Sequence, residues 1–371
     1  MKFGINRRLG AGLAALALAV GGGLAVGCGD DGSDSDSESE SGTEESGPDL
    51  AAIETYLTDH SAELLEQVTI LQEKGQEYYD LAESHDFDYE AMMKEDGDTV
   101  EGIILDSQEA FEAANPAYEE AEGIVAGVPR LAQYDVDIDA GSDASDPESA
   151  VSFSLELPDG ETLEQPGNLF FITETSLYGT NPDFLADVPQ DLNGDGKEET
   201  GEGVPDANIY LGAVNEFLSQ AESLDADANE FEATESDAFT AITVMTPTMA
   251  EYFEAWKNSE FIAGEKASEL GFVATSRLSD IADILEGIVF VYDEIEPTIA
   301  EESPEQAEQT GQELQDLLAF VEDLRDREEQ GEDFSAEDAD TLGTQAQKQA
   351  EAIAGQVTQA AEQSGIEIQD A

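Results

Sequence analysis

The sequence predicts an all-α protein of two helical bundles with a small inserted β-hairpin. Three observations lead there. Apolar residues recur at spacings of three and four over long stretches in both halves of the chain, which marks one buried face per helix. Short polar loops join these stretches, as antiparallel neighbours require. A single segment alternates with a period of two and runs into Asp159-Gly160, a hairpin turn signal.

Taken in order, Leu50, Ile53, Leu57, Leu64, Val68, Leu71 and Tyr78 predict a first helix ending near His85. Ile103, Ile104, Phe111, Tyr118 and Ile124 predict a second from about Val100 to Val125, kinked or divided at Pro116. Residues 126–150, rich in Asp, Gly and Ser, read as loop. Val151 to Leu157 alternates as a strand, so the hairpin spans about 151–165, and a short helix follows over Leu169 to Tyr178. These make an N-terminal bundle of about 49–180. The C-terminal bundle, about 208–365, comprises Asn208 to Leu224, Glu232 to Trp256, Ser276 to Glu301, and Pro304 to Glu329 behind the cap pair Ser303-Pro304. An Ala-rich last helix opens at Ser335 and ends near Gly365.

The first residues set the compartment. Lys2, Arg7 and Arg8 precede an apolar stretch from Leu9 to Val26, and Cys28, the one cysteine, follows Ala25-Val26-Gly27. A basic head, an apolar middle and small residues before a cut site read as a secretory signal over 1–27. With Cys at that point the segment resembles a bacterial lipoprotein signal, which implies acylation of Cys28, a membrane anchor and an extracytoplasmic location, periplasm or cell surface. Acyl chains hold at about 0.8 kcal/mol per buried CH₂. Residues 28–48 alternate Ser with Asp or Glu and have no means of packing, so they read as a self-repelling tether reaching roughly 65 Å at about 3.3 Å per residue. The helical body is 49–365.

Charge excludes several functions. The chain of 371 residues carries 88 Asp and Glu against 13 Lys and Arg, a formal charge of -75. Phosphate backbones are bound mainly through Lys and Arg, so nucleic acid is not a partner. Adhesion to anionic lipid through a basic patch is excluded on the same ground. Catalysis has few tools. A lipidated Cys28 leaves no thiol, His60 and His85 are the two histidines, and neither an H-E-x-x-H zinc motif nor a phosphate-loop motif occurs. Any pair of carboxylates is uninformative among so many.

Two strings suggest metal. Asp191, Asn193, Asp195, Lys197, Glu199 and Glu202 occupy the ligand positions of the calcium-loop pattern D-x-[DN]-x-[DN]-G-x₅-E, with Gly196 at the sharp turn. Pro189 and Pro205 deny it flanking helices, so it reads as a lone Ca²⁺ loop or, in the bland reading, as a solvated acidic turn. His60-Ser-Ala-Glu63 places His60 and Glu63 on one helix face. Bundle cores do host Glu and His metal sites, although a lone inward His is more often hydrogen-bonded core.

Two stretches carry a resemblance. Tyr118-Glu-Glu-Ala-Glu-Gly-Ile-Val-Ala-Gly-Val-Pro129 with Tyr134-Asp-Val-Asp-Ile-Asp-Ala-Gly141, and Phe261 through Tyr292, are similar to the imelysin-like family, which includes the EfeO-type periplasmic iron-uptake lipoproteins. That resemblance implies two helical bundles facing each other across a cleft, a role in binding iron or another transition metal, and an iron permease or other uptake component as partner. The family hallmark, H-x-x-E before an aromatic and Gly, is met at Phe171-Ile-Thr-Glu174-Thr-Ser-Leu-Tyr178-Gly179, with Phe171 in place of the histidine. Phenylalanine has no lone pair for a metal. By the resemblance Glu174 is a remaining ligand, and Arg277 and Asp280 are cleft residues. Alternatives are a peptidase-like enzyme and a non-catalytic surface or scaffold protein with a degenerate metal site.

Self-repulsion on this scale is relieved by salt. The melting temperature is therefore expected to rise by several degrees between low salt and about 1 M NaCl, where the screening length falls to about 3 Å. A flat or falling response in scanning calorimetry would contradict this.

Overall fold

The computed structural model describes residues 47–369. The signal segment, Cys28 and nearly all of the tether lie outside the described residues. Within them the architecture is all-α, with one two-stranded hairpin. No helix among the described residues is long and apolar enough to cross a membrane.

Helix α1 (Leu50–Ser84) opens on Asp49, whose carboxylate accepts the Ala52 amide at 3.1 Å. It buries the expected stripe from Ile53 to Tyr78. Helix α2 (Tyr89–Val125) starts well before Val100. Asp88 caps it through the Ala91 amide at 3.0 Å, but Met92 is the one buried side chain before Val100, so no apolar stripe announces those turns. The expected break at Pro116 is absent. The backbone departs from helix at Asp96 instead (φ -129°, ψ 23°), where the Asp96 carboxylate meets His85 Nε2 at 2.8 Å.

Residues 126–150 are not simply loop. Helix α3 (Ala132–Asp135) runs into a π-helical turn, Val136–Ala140. Such turns are rare and concentrate at functional sites. Strands β1 (Ser154–Glu156) and β2 (Thr162–Glu164) pair antiparallel with Leu155 opposite Leu163. Leu155 packs into a small satellite core with Ile172, Phe184 and Ala213. Helix α4 (Leu169–Tyr178) has the expected bounds, fixed by the Asn168 cap at one end and left-handed Gly179 at the other.

Helix α5 (Ala207–Asn229), expected in the C-terminal bundle, packs along α1 and on α4, so it belongs to the first bundle. The helix expected over Glu232 to Trp256 is two: α6 (Glu235–Met245) and α7 (Met249–Asn258), separated by a 3₁₀ turn on Pro247. After α8 (Glu260–Ala263), the second bundle is completed by α9 (Arg277–Glu302), α10 (Pro304–Glu329) and α11 (Ala336–Ser364). Trp256 anchors it, edge-on to Phe253 and Phe334, with its indole N–H donated to Glu328 at 2.7 Å.

Helix α9 joins the bundles, packing on α10 on one side and on α2 on the other. The α2–α9 seam is close because Gly287 has no side chain. A Cβ there would stand 2.1 Å from the Glu120 carbonyl oxygen, which is backbone and cannot swing away. Gly287→Ala is expected to cost about 1–3 kcal/mol through forced separation of the helices. Urea denaturation checks this, and an unchanged midpoint would refute the close seam.

Candidate metal centre

The seam delivers carboxylates to one place. On α2 the line Phe111, Asn115, Glu119, Glu122 follows helical spacing and faces inward, and Glu119 and Glu122 are 0% and 3% exposed. The first turn of α9 adds Arg277 and Asp280, set by the Ser276 cap on the Leu278 amide. The π-turn adds Asp139, and α3 adds Asp135. Oxygens of Glu119, Glu122 and Asp139 all lie within 4.8 Å of one another.

Arg277 is the cation of this cluster. Its Nη1 stands 3.2 Å from Asp280 Oδ2, 3.6 Å from Asp139 Oδ2 and 3.8 Å from Glu119 Oε1. The Tyr252 and Phe272 rings lie 4.5 and 4.4 Å from its guanidinium carbon. Asn115 donates to Glu119 Oε1 at 3.1 Å, Tyr252 to Glu122 Oε1 at 2.8 Å, and Tyr118 to Asp135 Oδ1 at 2.9 Å. The remaining oxygens, Glu119 Oε2 and Glu122 Oε2, are buried without any partner.

One guanidinium does not balance five carboxylates, and each buried ion costs several kcal/mol. Protons make up part of the difference. Burial drives Glu119 well above the ordinary range, and Asp280, Glu122 and Asp139 add to it. Asp135 is driven up by burial and then by Glu122. Burial lifts Asp139 to about 7, outweighing Arg277. Asp280 is raised by burial against the same guanidinium. Burial also works against the Arg277 charge, but Asp139, Glu119 and Asp280 hold its pKa above the usual arginine value.

The cluster opens on a cavity of about 730 Å³ walled by both bundles, with Glu122, Asp139, Phe171, Glu174, Tyr252 and Arg277 in its lining. Glu174, implied as a ligand, is committed elsewhere. Its Oε2 accepts the Phe272 amide at 2.7 Å, and its Oε1 accepts those of Val273 and Ala274 at 2.8 Å each. Burial still pushes it up to about 7 although these three amides pull the other way. Glu174 is thus a clamp. It holds segment 272–274, with Phe272 at a left-handed φ of 55°, so that the Phe272 ring lies against Arg277.

The family model for imelysin, also designated peptidase M75, matches residues 99–363, more than two thirds of the chain. The chain belongs to the imelysin family. Among curated proteins nothing matches. A solved structure of a protein described as an iron-regulated protein A precursor, from Parabacteroides distasonis, is similar at 13% identity and a TM-score of 0.44, covering 85% of this chain and 96% of that one.

In this imelysin-family chain, two of the residues singled out from the sequence, Arg277 and Asp280, pair with each other, and Arg277 lines the cavity. His60 and Glu63 do not form a pair. Glu63 is exposed, whereas His60 turns to Glu120 Oε2 at 3.3 Å and lies against the Tyr56 ring, because inward and outward faces diverge within one helical turn. The calcium-type loop lies outside the cleft lining. Glu119, Glu122, Asp135 and Asp139 were not singled out from the sequence. Their signal was faint but real: Glu119 and Glu122 fall in helical step with Phe111, where a surface acid has no place.

Raised carboxyls make stability depend on pH. Asp139, and on α9 Asp283 facing Arg325 at 3.8 Å, hold their protons in the folded chain up to about 7, whereas unfolded they ionise near about 4. Folding takes up protons between those values. The stability gained is complete below the unfolded pKa and lost as pH rises through the folded one. In chelator, the melting temperature is therefore expected to be higher at pH 5 than at pH 8. The reverse order would contradict a protonated cluster.

Proposed function

We propose that this imelysin-family chain is a non-catalytic, extracytoplasmic protein, anchored through Cys28, that captures a hard multivalent cation, ferric iron, for uptake or homeostasis. The observation that carries this reading is the pair of buried, unpartnered oxygens, Glu119 Oε2 and Glu122 Oε2, grouped with Asp139. A cation there meets the ligands a carboxylate set offers, and its charge offsets the surplus that Arg277 leaves. With Phe171 where the family motif has histidine, the donors are oxygen alone. Oxygen donors favour hard cations over zinc or copper, and iron in its ferric state is hard. Capture displaces the protons held by the cluster, so affinity rises with pH.

The test is calorimetric titration of the full chain with ferric nitrilotriacetate, beside a variant carrying Glu119→Gln and Glu122→Gln. One iron per chain at micromolar affinity or tighter, weakened at least tenfold in the variant, is expected. No binding at micromolar iron would sink the reading and leave a scaffold with a degenerate site. Cleavage of unfolded protein by the wild type, lost in the same variant, would favour the peptidase designation instead.

A further inference from the structure

Between α4 and α5 the chain makes an excursion whose ends are tied together. The Ala186 amide donates to the Val204 carbonyl at 3.0 Å, and the Val204 amide donates to the Gln190 side chain at 2.7 Å. The Gly201 amide reaches the Tyr178 carbonyl at the end of α4 at 2.9 Å. From α2, Gln108 Nε2 donates to the Gly201 and Leu177 carbonyls at 2.9 and 3.0 Å. This frame fixes Glu202, which is 8% exposed, beneath an arm that is largely solvent-facing from Asn193 to Thr200.

The arm turns sharply at two glycines. Gly194 and Gly196 take left-handed φ values of 71° and 87°, which a side chain would resist. Asp191 Oδ2 accepts the Gly196 amide at 2.9 Å, so its carboxylate faces the loop interior. Its other oxygen, Asp191 Oδ1, is shut off from solvent and has no hydrogen-bond partner. A solvated acidic turn gives no reason to bury a carboxylate oxygen and leave it unpaired, since such a group costs more than a hydrogen bond returns. Glu202 turns back into the same interior, with Oε1 against the Asn193 amide and Oε2 accepting the Glu199 amide at 3.3 Å. On the rim, Lys197 Nζ stands 2.6 Å from Asp195 Oδ2 and partly neutralises the arm.

We propose that loop 191–202 is a Ca²⁺ site independent of the cleft. Side chains of Asp191, Asn193 and Asp195, the Lys197 carbonyl and the Glu202 carboxylate are the ligands, and Glu199 acts directly or through water. Several hard oxygens and a flexible arm suit Ca²⁺ better than Mg²⁺, which demands near-ideal octahedral geometry. The site ties the arm to the frame that ends α4, the helix carrying Phe171 and Glu174.

The test separates this site from the cleft and from the acidic surface. Ca²⁺ is titrated calorimetrically, in NaCl of about 0.5 M, into the full chain carrying Glu119→Gln and Glu122→Gln. One saturable site with a Kd of about 10⁻⁴–10⁻³ M is expected. Adding Glu202→Gln or Asp195→Ala should weaken it at least tenfold. Asp195 is exposed, so its replacement leaves the fold intact, which circular dichroism verifies. Absence of a saturable site, or uptake unchanged by Asp195→Ala, would overturn the proposal and leave the acidic coat as the source of any Ca²⁺ uptake.

Discussion

The Arg277 guanidinium and the buried carboxylates around it are the constraint on which the cleft depends. Glu119 and Glu122 come from the first bundle, Asp280 and Arg277 from the second, and Asp139 from the π-turn. Like charges at this spacing would drive the bundles apart without a cation or protons between them. The surroundings are arranged to hold that cation still. Tyr252 and Phe272 lie against its faces, and Glu174 grips the backbone that carries Phe272. Breaking one buried partner costs roughly 3–5 kcal/mol, because the others are left uncompensated. The bundles therefore meet where they do for an electrostatic reason, and Gly287 lets the helices close enough to meet it.

Much of the fold was legible in the sequence where punctuation is local. Helix α4 has its expected bounds because Asn168 caps one end and Gly179 stops the other. Helix α10 begins where Ser303-Pro304 says it should. The misreadings have physical causes. The first turns of α2 are mostly polar, so periodicity is silent there while the Asp88 cap still nucleates helix. Pro247 breaks a helix whose amphipathic pattern runs straight through it, whereas Pro116 sits in α2 without a break. The π-turn has no sequence signature beyond an Asp-rich run. Its buried Asp137 accepts from both the amide and the hydroxyl of Ser152, a pairing that exists only after folding.

The site was less legible, and composition explains why. Among 88 acids, Glu119 and Glu122 differ from the rest only in facing inward. The resemblance pointed to Glu174, Arg277 and Asp280; Glu174 and Arg277 line the cavity, and Asp280 pairs with Arg277 behind it. Glu174 binds backbone amides, and Arg277 neutralises the carboxylates around it. The Phe171 ring stands edge-on to Phe184 at 6.2 Å between centroids, so an apolar contact replaces a nitrogen donor. On the proposed reading the donors that remain are carboxylates, which favour a hard ion.

The carboxylates of this chain thus divide by what can neutralise them. Those on exposed helix faces lie within reach of solution ions, and their repulsion fades beyond roughly 10 Å at ordinary ionic strength. Those of the cleft are shielded from that atmosphere, so their charge is met by Arg277, by protons or by an ion that enters and stays. Asp191 and Glu202 stand between the two groups, on a surface loop yet with an oxygen or a whole side chain withdrawn from water. A high acid count is therefore a property of the coat, and burial is what separates a site from it. The same -75 that would make any single acidic pair meaningless on the surface makes an unpartnered buried one informative. A chain with so much solvated carboxylate available gains nothing by burying more of it unless an ion or a partner is meant to meet it there.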